Sequence, residues 1–310
     1  MRKSKSATQS YSLAKLSIIG VGACLGLMLG IGELLYSRLP IILAKNQFLM
    51  AAVQTSAKPA KSGLGANRAK VTDPFRQPDP IDFANHAGYV QIFNGHNLKG
   101  WDGDPSVWHV EDGAIVGQST KAKPVDHSYI SFHGFDVKDF DLKLEIKVEN
   151  GGGSGIQYRS KTGLPWRHHR PGKPAYNLNW LMTGPQADFW YPVNPRAAVY
   201  TGQFYSENTG LGILAWRGQV VESSIGKRPR LDGNIGNRSA LGGYVRVNGW
   251  NQYMIMARGG TFIHIINGQL MAVYLDNDSK SSNNQAGLIG IELESTPCKV
   301  SVRNVWVKRL

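Results

Sequence analysis

The clearest pattern in the chain is a run of strict alternation. Phe140, Leu142, Leu144, Ile146 and Val148 alternate with Asp141, Lys143, Glu145 and Lys147, the period of two of a strand with one face buried. Beyond a glycine-rich turn at 151–153, Ile156 and Tyr158 alternate with Gln157 and Arg159. Pairing of these consecutive strands would put Glu145, Gln157 and Arg159 on one sheet face. That face is either the floor of a polar pocket or an ordinary solvated surface.

The same period recurs from Tyr89 to the C-terminus. Residues 108–111 and 114–116 flank Asp112-Gly113, and 262–266 and 270–273 flank Asn267-Gly268. Both dipeptides supply the positive φ angles of tight hairpin turns. Further strands are predicted at 212–216, 220–223, 252–258, 288–293 and 299–308. With no long helical period after the N-terminus and no crossover helices, the expected fold is all-β, two packed antiparallel sheets forming a sandwich.

The first 88 residues are of a different kind. Arg2, Lys3, Lys5 and Lys15 precede an uncharged apolar stretch at 16–32, just long enough for the roughly 20 residues of a membrane-spanning helix. The basic flank predicts a cytoplasmic N-terminus and a domain outside it. Alternatives are a cleaved signal peptide, with small-residue sites at 21–23 or 55–57, which would leave the domain secreted or periplasmic, and a lipobox-like Val21-Gly22-Ala23-Cys24. From about 38 to 88 the chain has no periodicity and a proline every few residues near 74–80, as in a linker. The expected organisation is therefore 1–37 signal or anchor, 38–88 linker and 89–310 folded domain.

Charge adds little to this picture. Of the net +13, +7 lies in residues 1–88 (eleven basic, four acidic) and only +6 in the remainder, which argues against a nucleic-acid partner. The only two cysteines, Cys24 and Cys298, would lie in different compartments, and no intrachain disulfide or cysteine metal cluster is expected.

An ordered set of short motifs goes further. Phe93-Asn94-Gly95-His96-Asn97-Leu98-Lys99-Gly100-Trp101, the Trp108-to-Gly113 turn, Asp139-Phe140-Asp141-Leu142 leading to Ser154-Gly155-Ile156-Gln157-Tyr158-Arg159-Ser160, Gly184-Pro185-Gln186-Ala187-Asp188, Tyr200-Thr201-Gly202-Gln203-Phe204-Tyr205, His264 before Asn267-Gly268, and Arg303-Asn304-Val305 follow in sequence. Together, over residues 89–310, they resemble the 3-keto-disaccharide hydrolase domain family, also called the DUF1080 family. The resemblance implies a concanavalin A-like jelly-roll sandwich, an exported protein and carbohydrate chemistry on a concave face. Gly153 stands where the family usually has Asn, and Glu292 and Glu294 stand where its pattern has Gln and His.

A 3-keto group acidifies the hydrogen on C2. A base can remove it, the glycosidic oxygen can leave C1, and water can add to the enone. This needs a carboxylate or imidazole at C2 and positive charge or donors at the enolate oxygen. Candidate bases are Asp188, Glu145 and His264, with Arg159 as the electrostatic stabiliser. Two-carboxylate hydrolysis by Asp188 with Glu145 or Glu292 is the other route. Gln157 and Gln186 are candidate hydroxyl binders, and Trp166, Trp190 and Tyr191 candidate sugar platforms. A divalent ion held by Asp, Glu and His is an open alternative without a spacing signature, as is a lectin-like module that binds sugar without turnover. Arg159, Gln186, Asp188 and His264 are expected to converge on one concave face beside Glu145 and Glu292.

Overall fold

The computed structural model of the protein describes residues 82–167, 176–193 and 198–310. The basic N-terminus, the apolar stretch 16–32 and most of the expected linker lie outside them. Among the described residues no helix is long and apolar enough to cross a membrane.

The strands follow one another from β1 (Val90–Gln91), β2 (Trp101–Gly103) and β3 (Trp108–Glu111) to β4 (Ala114–Ser119), β5 (His127–Val137) and β6 (Phe140–Glu149). Next come β7 (Gly153–Ser160), β8 (Gly184–Trp190), β9 (Phe204–Glu207), β10 (Gly212–Ala215), β11 (Gln219–Ser223) and β12 (Arg230–Asn234). A short helix α1 (Arg238–Gly242) precedes β13 (Asn251–Arg258), β14 (Thr261–Ile266), β15 (Gln269–Asp276), β16 (Gly287–Glu294) and β17 (Cys298–Arg309). Among the described residues they form two sheets. The first runs β12-β11-β15-β14-β13-β6-β17-β4-β3, with β1 also on β17, and the second runs β10-β9-β8-β7-β16-β5-β2. All pairs are antiparallel except β11 with β15. Both hairpin turns fold as expected, with Asp112 at φ 51°, Gly113 at 73°, Asn267 at 51° and Gly268 at 80°.

The apolar faces meet between the sheets. Phe140, Leu142, Leu144 and Ile146 from the first sheet share a buried core with Ile156, Tyr158, Ala187, Phe189, Phe204, Ile289, Ile291 and Leu293 from the second. Burial of these side chains is the main driving force for closing the sandwich.

One expectation fails here, with consequences for the site. Strands β6 and β7 are consecutive but do not pair. β6 lies between β13 and β17 in the first sheet, and β7 between β8 and β16 in the second. Each has one apolar face, and the two faces meet across the core instead of lying side by side. The polar face of β6, with Glu145, is therefore the outside of one sheet, and that of β7, with Gln157, the outside of the other.

Candidate functional site

The outer face of the second sheet carries an acidic cleft. On β8, Gln186, Asp188 and Trp190 point outward because Ala187 and Phe189 are committed to the core. On β16, Glu292 and Glu294 alternate with Ile291 and Leu293 in the same way. Register places Glu292 opposite Tyr129 and Glu294 opposite His127 on β5, while Asp188 faces Gly155 on β7. Gln203, just before β9, and Tyr205 and Glu207 on it continue the face. The cleft holds about 390 Å³, and its walls include His127, Trp166, Asp188, Trp190, Tyr200, Gln203 and Glu207. A larger cavity of about 630 Å³ beside α1 is lined by Arg217 and Arg238 but by no carboxylate or imidazole, so the smaller one carries the candidate chemistry.

Two glycines on β7 open this face. A Cβ at Gly155 would sit 2.2 Å from the Gln186 amide nitrogen, and one at Gly153 would sit 2.7 Å from the Trp190 ring. Gln186 thus crosses over β7, donating to Asp188 Oδ1 at 2.8 Å and to Glu292 Oε2 at 2.6 Å. Gln157 donates to the Gln186 carbonyl oxygen and accepts from Ser160 at 2.7 Å. Gln203 donates to the other Asp188 oxygen at 2.5 Å. Glu292 Oε1 accepts from Tyr129 at 2.9 Å and lies 3.0 Å from His127 Nδ1. The departure at Gly153 thus has a steric counterpart, since the Trp190 ring fills the space that the family's Asn side chain would need.

Among the described residues no Lys or Arg lines the cleft, and its acids are hard to ionise. Burial, reinforced by the charge of Glu292, holds the Asp188 carboxyl well above the usual range, against the two amide donors that favour its ionised form. Burial and the charges of Glu292 and Asp188 do the same to Glu207. Glu294 is pushed up to about 8 by burial and then by Glu292. At His127 burial opposes the charge, but the hydrogen bond to Glu292 and the charges of Glu292, Glu294 and Asp126 together outweigh it and the pKa rises.

Of the residues singled out in the sequence, Asp188, Gln157, Gln186 and Glu292 come together in this hydrogen-bonded floor, with Trp166 and Trp190 at its walls. Arg159, His264 and Glu145 do not join them. Arg159 has φ 50° at a shift in the register between β7 and β16, so its side chain leaves the Gln157 face. It bonds the carbonyls of Lys138, Gly259 and Asn283 and pairs with Asp139. His264 belongs to the first sheet and faces the core, with Nε2 2.8 Å from the Tyr158 hydroxyl and Nδ1 3.1 Å from the Gln203 carbonyl. A carbonyl can only accept, so Nδ1 carries the proton and Nε2 accepts from Tyr158. Glu145 lies on the outside of the first sheet, bonded to Arg303 and Asn304. Tyr191 packs against the core. The expected convergence on one face is therefore corrected for these residues.

His127, Gln203, Tyr205, Glu207 and Glu294 were missing from the expected site. Gln203, Tyr205 and Glu207 alternate with Phe204 and Ser206, a usable signal. His127 is placed only by its cross-strand register.

A family model described as the 3-keto-alpha-glucoside-1,2-lyase-like domain matches residues 88–308. A curated 3-keto-disaccharide hydrolase of Bacteroides thetaiotaomicron is 40% identical over 80 residues, 23% of this chain and 27% of that protein. The chain thus matches about a quarter of that relative's length. Among solved structures, a Bacillus subtilis protein with a galectin-like fold is 12% identical, covering 71% of this chain and 98% of its own, with a TM-score of 0.45. The Bacillus subtilis carbohydrate-binding module CBM66 is 15% identical, covering 69% and 98%, with a TM-score of 0.41.

Proposed function

Because the chain belongs to the 3-keto-alpha-glucoside-1,2-lyase-like domain family, we propose that its acidic cleft binds a glycoside oxidised at C3 and breaks the glycosidic bond by elimination across C1 and C2. The observation that carries this is Asp188, a buried carboxyl clasped on both oxygens by the amides of Gln186 and Gln203. The two donors fix the carboxylate, and burial outweighs them and leaves its basicity high, with no Lys or Arg among the described residues that line the cleft.

Asp188 takes the proton from C2 and the electron pair passes to the C3 oxygen as an enolate. When the carbonyl re-forms, the C1–C2 double bond forms and the C1–oxygen bond breaks. Glu207, whose pKa burial raises, gives its proton to the departing oxygen. Water then adds to C1 and its proton returns to C2, giving the free 3-keto sugar. Trp166, Trp190 and Tyr200 flank the sugar, with Trp190 and Tyr200 rings 5.4 Å apart. The basic N-terminus and the apolar stretch 16–32 support an exported, membrane-held domain on a jelly-roll sandwich, checked by fractionating cells and asking whether external protease reaches the domain.

The test of the reaction is incubation of the full-length protein with 3-keto and ordinary disaccharides, following free sugar. Turnover of the 3-keto substrate alone, at least 10³-fold slower in Asp188→Asn with a thermal midpoint within a few degrees, is expected for loss of a general base. Tight binding of both sugars without turnover would make the domain a lectin-like module, a reading favoured by Glu292 and Glu294 standing in place of Gln and His.

A further inference from the structure

Arg159 had been the expected source of positive charge for an enolate, and it is turned away. What the cleft offers instead is a set of anionic and imidazole ligands. Glu292 and Glu294 lie two apart on the outward face of β16, and His127 sits directly across from Glu294 on β5. One ligand atom from each lies within 4.8 Å of the other two. Donor atoms around a small divalent ion are roughly 3–4 Å apart at bond lengths of about 2.1 Å, so a shift of under about 1 Å would close the set.

Three further observations point to a cation. Glu292 is already oriented from outside the set by Tyr129 and Gln186, the supporting hydrogen bonds that fix a ligating carboxylate. Four carboxyls, those of Asp188, Glu207, Glu292 and Glu294, share this face, and among the described residues no Lys or Arg lines the cleft to balance the charge they carry. Finally, the wall holds a buried oxygen without a partner, Oε1 of Gln203, whose residue is only 2% exposed. Its Nε2 is committed to the Asp188 carboxylate, which fixes the amide's orientation and leaves Oε1 waiting for a donor or a cation's bound water.

We propose that His127, Glu292 and Glu294 form a binding site for one divalent transition-metal ion. A mixed imidazole and carboxylate set suits a first-row transition ion such as Mn²⁺, Fe²⁺ or Zn²⁺ better than an all-oxygen ion such as Ca²⁺. Ion binding stands on this geometry alone. Its role, drawing the C3 oxygen of the substrate toward positive charge as the enolate forms, rests on the elimination proposed above.

The experiment is Mn²⁺ titration of chelator-stripped full-length protein, counting free ion by its paramagnetic resonance signal and following thermal unfolding in parallel. One saturable ion per chain is expected, with a rise in the unfolding midpoint. Affinity should fall at least tenfold in Glu294→Gln and in His127→Phe, the latter keeping a ring against Trp166 and Tyr176. Without metal, Glu294→Gln should unfold no earlier than the parent, which a merely structural role would not allow. Absence of saturable Mn²⁺ binding, or equal binding in both variants, overturns the proposal. So does stabilisation by glucosamine but not by Mn²⁺, which would make this an ammonium pocket. Mn²⁺ binding without turnover of a 3-keto glycoside leaves the site intact and removes only the elimination.

Discussion

His264 shows how a single buried side chain supports the cleft from behind. Its Nδ1–H holds the backbone carbonyl of Gln203, whose side chain in turn holds Asp188. Burial lowers its pKa from 6.5 to about 4. The unfolded chain binds a proton here below about pH 6.5, while the folded chain refuses it until about pH 4, so acid favours unfolding across that window. Stability should fall by about 3 kcal/mol between those limits, measured as urea unfolding against pH, and this acid limb should flatten in His264→Gln. Arg159 illustrates a second role within the fold. With its guanidinium spread over three carbonyls, Asp139 and the Phe262 ring, Arg159→Ala should cost about 3 kcal/mol or more in unfolding free energy. Any loss of turnover would then follow the loss of folded protein. A variant that unfolds like the parent would contradict this placement.

At the scale of strands, the cleft depends on what β7 lacks. The three atoms nearest to a Cβ on Gly155 all belong to the Gln186 side chain, so a methyl there would push Gln186 off Asp188 and Glu292. Gly155→Ala should cost about 1–3 kcal/mol in the parent, the penalty for unmaking buried hydrogen bonds to carboxylates. The cost should be less than half as large in a Gln186→Ala background. Equal costs in the two backgrounds, measured by chemical denaturation, would mean that the methyl strains the backbone rather than the bridge. Alternation suffices to find Glu292, which is out of phase with core residues on a regular strand, whereas Gln186 and Asp188 are found through the family motif that carries them. Alternation misplaces Arg159, since one left-handed residue inverts the side chains that follow. It also misplaces Glu145, because a turn at Asn150-Gly151-Gly152 serves equally a hairpin or a passage to the facing sheet. The pattern fixes which face of a strand is apolar; only the pairing says which sheet receives it.

At the scale of the molecule, two packed sheets were legible from turn spacing and alternation, but the packing of the segment 82–88 was not. The proline-rich composition suggested a linker up to residue 88, and residues 82–88 of it pack on the first sheet. Lys143, 3% exposed on the outer face of the first sheet, explains part of this packing. Its ammonium donates to the carbonyls of Asp82 and Asn85 at 2.7 and 2.8 Å and lies 4.7 Å from the centre of the Tyr89 ring. His86 stacks on Trp306 with centroids 4.1 Å apart. Polar backbone at 82–88 is thus recruited as a cover for a charged strand residue, which neither proline content nor hydrophobic period could announce. A fragment covering 77–310 should therefore be more stable than one covering 89–310 by about 1–3 kcal/mol, the worth of two or three hydrogen bonds to a charged donor once water takes their place. Urea unfolding of the two fragments measures the difference, and Lys143→Met in both shows how much belongs to the ammonium. The gap should shrink in the Met pair while the contribution of His86 on Trp306 persists. If truncation to 89–310 costs nothing, water serves Lys143 as well as those carbonyls do, and the segment 82–88 is only draped on the sheet.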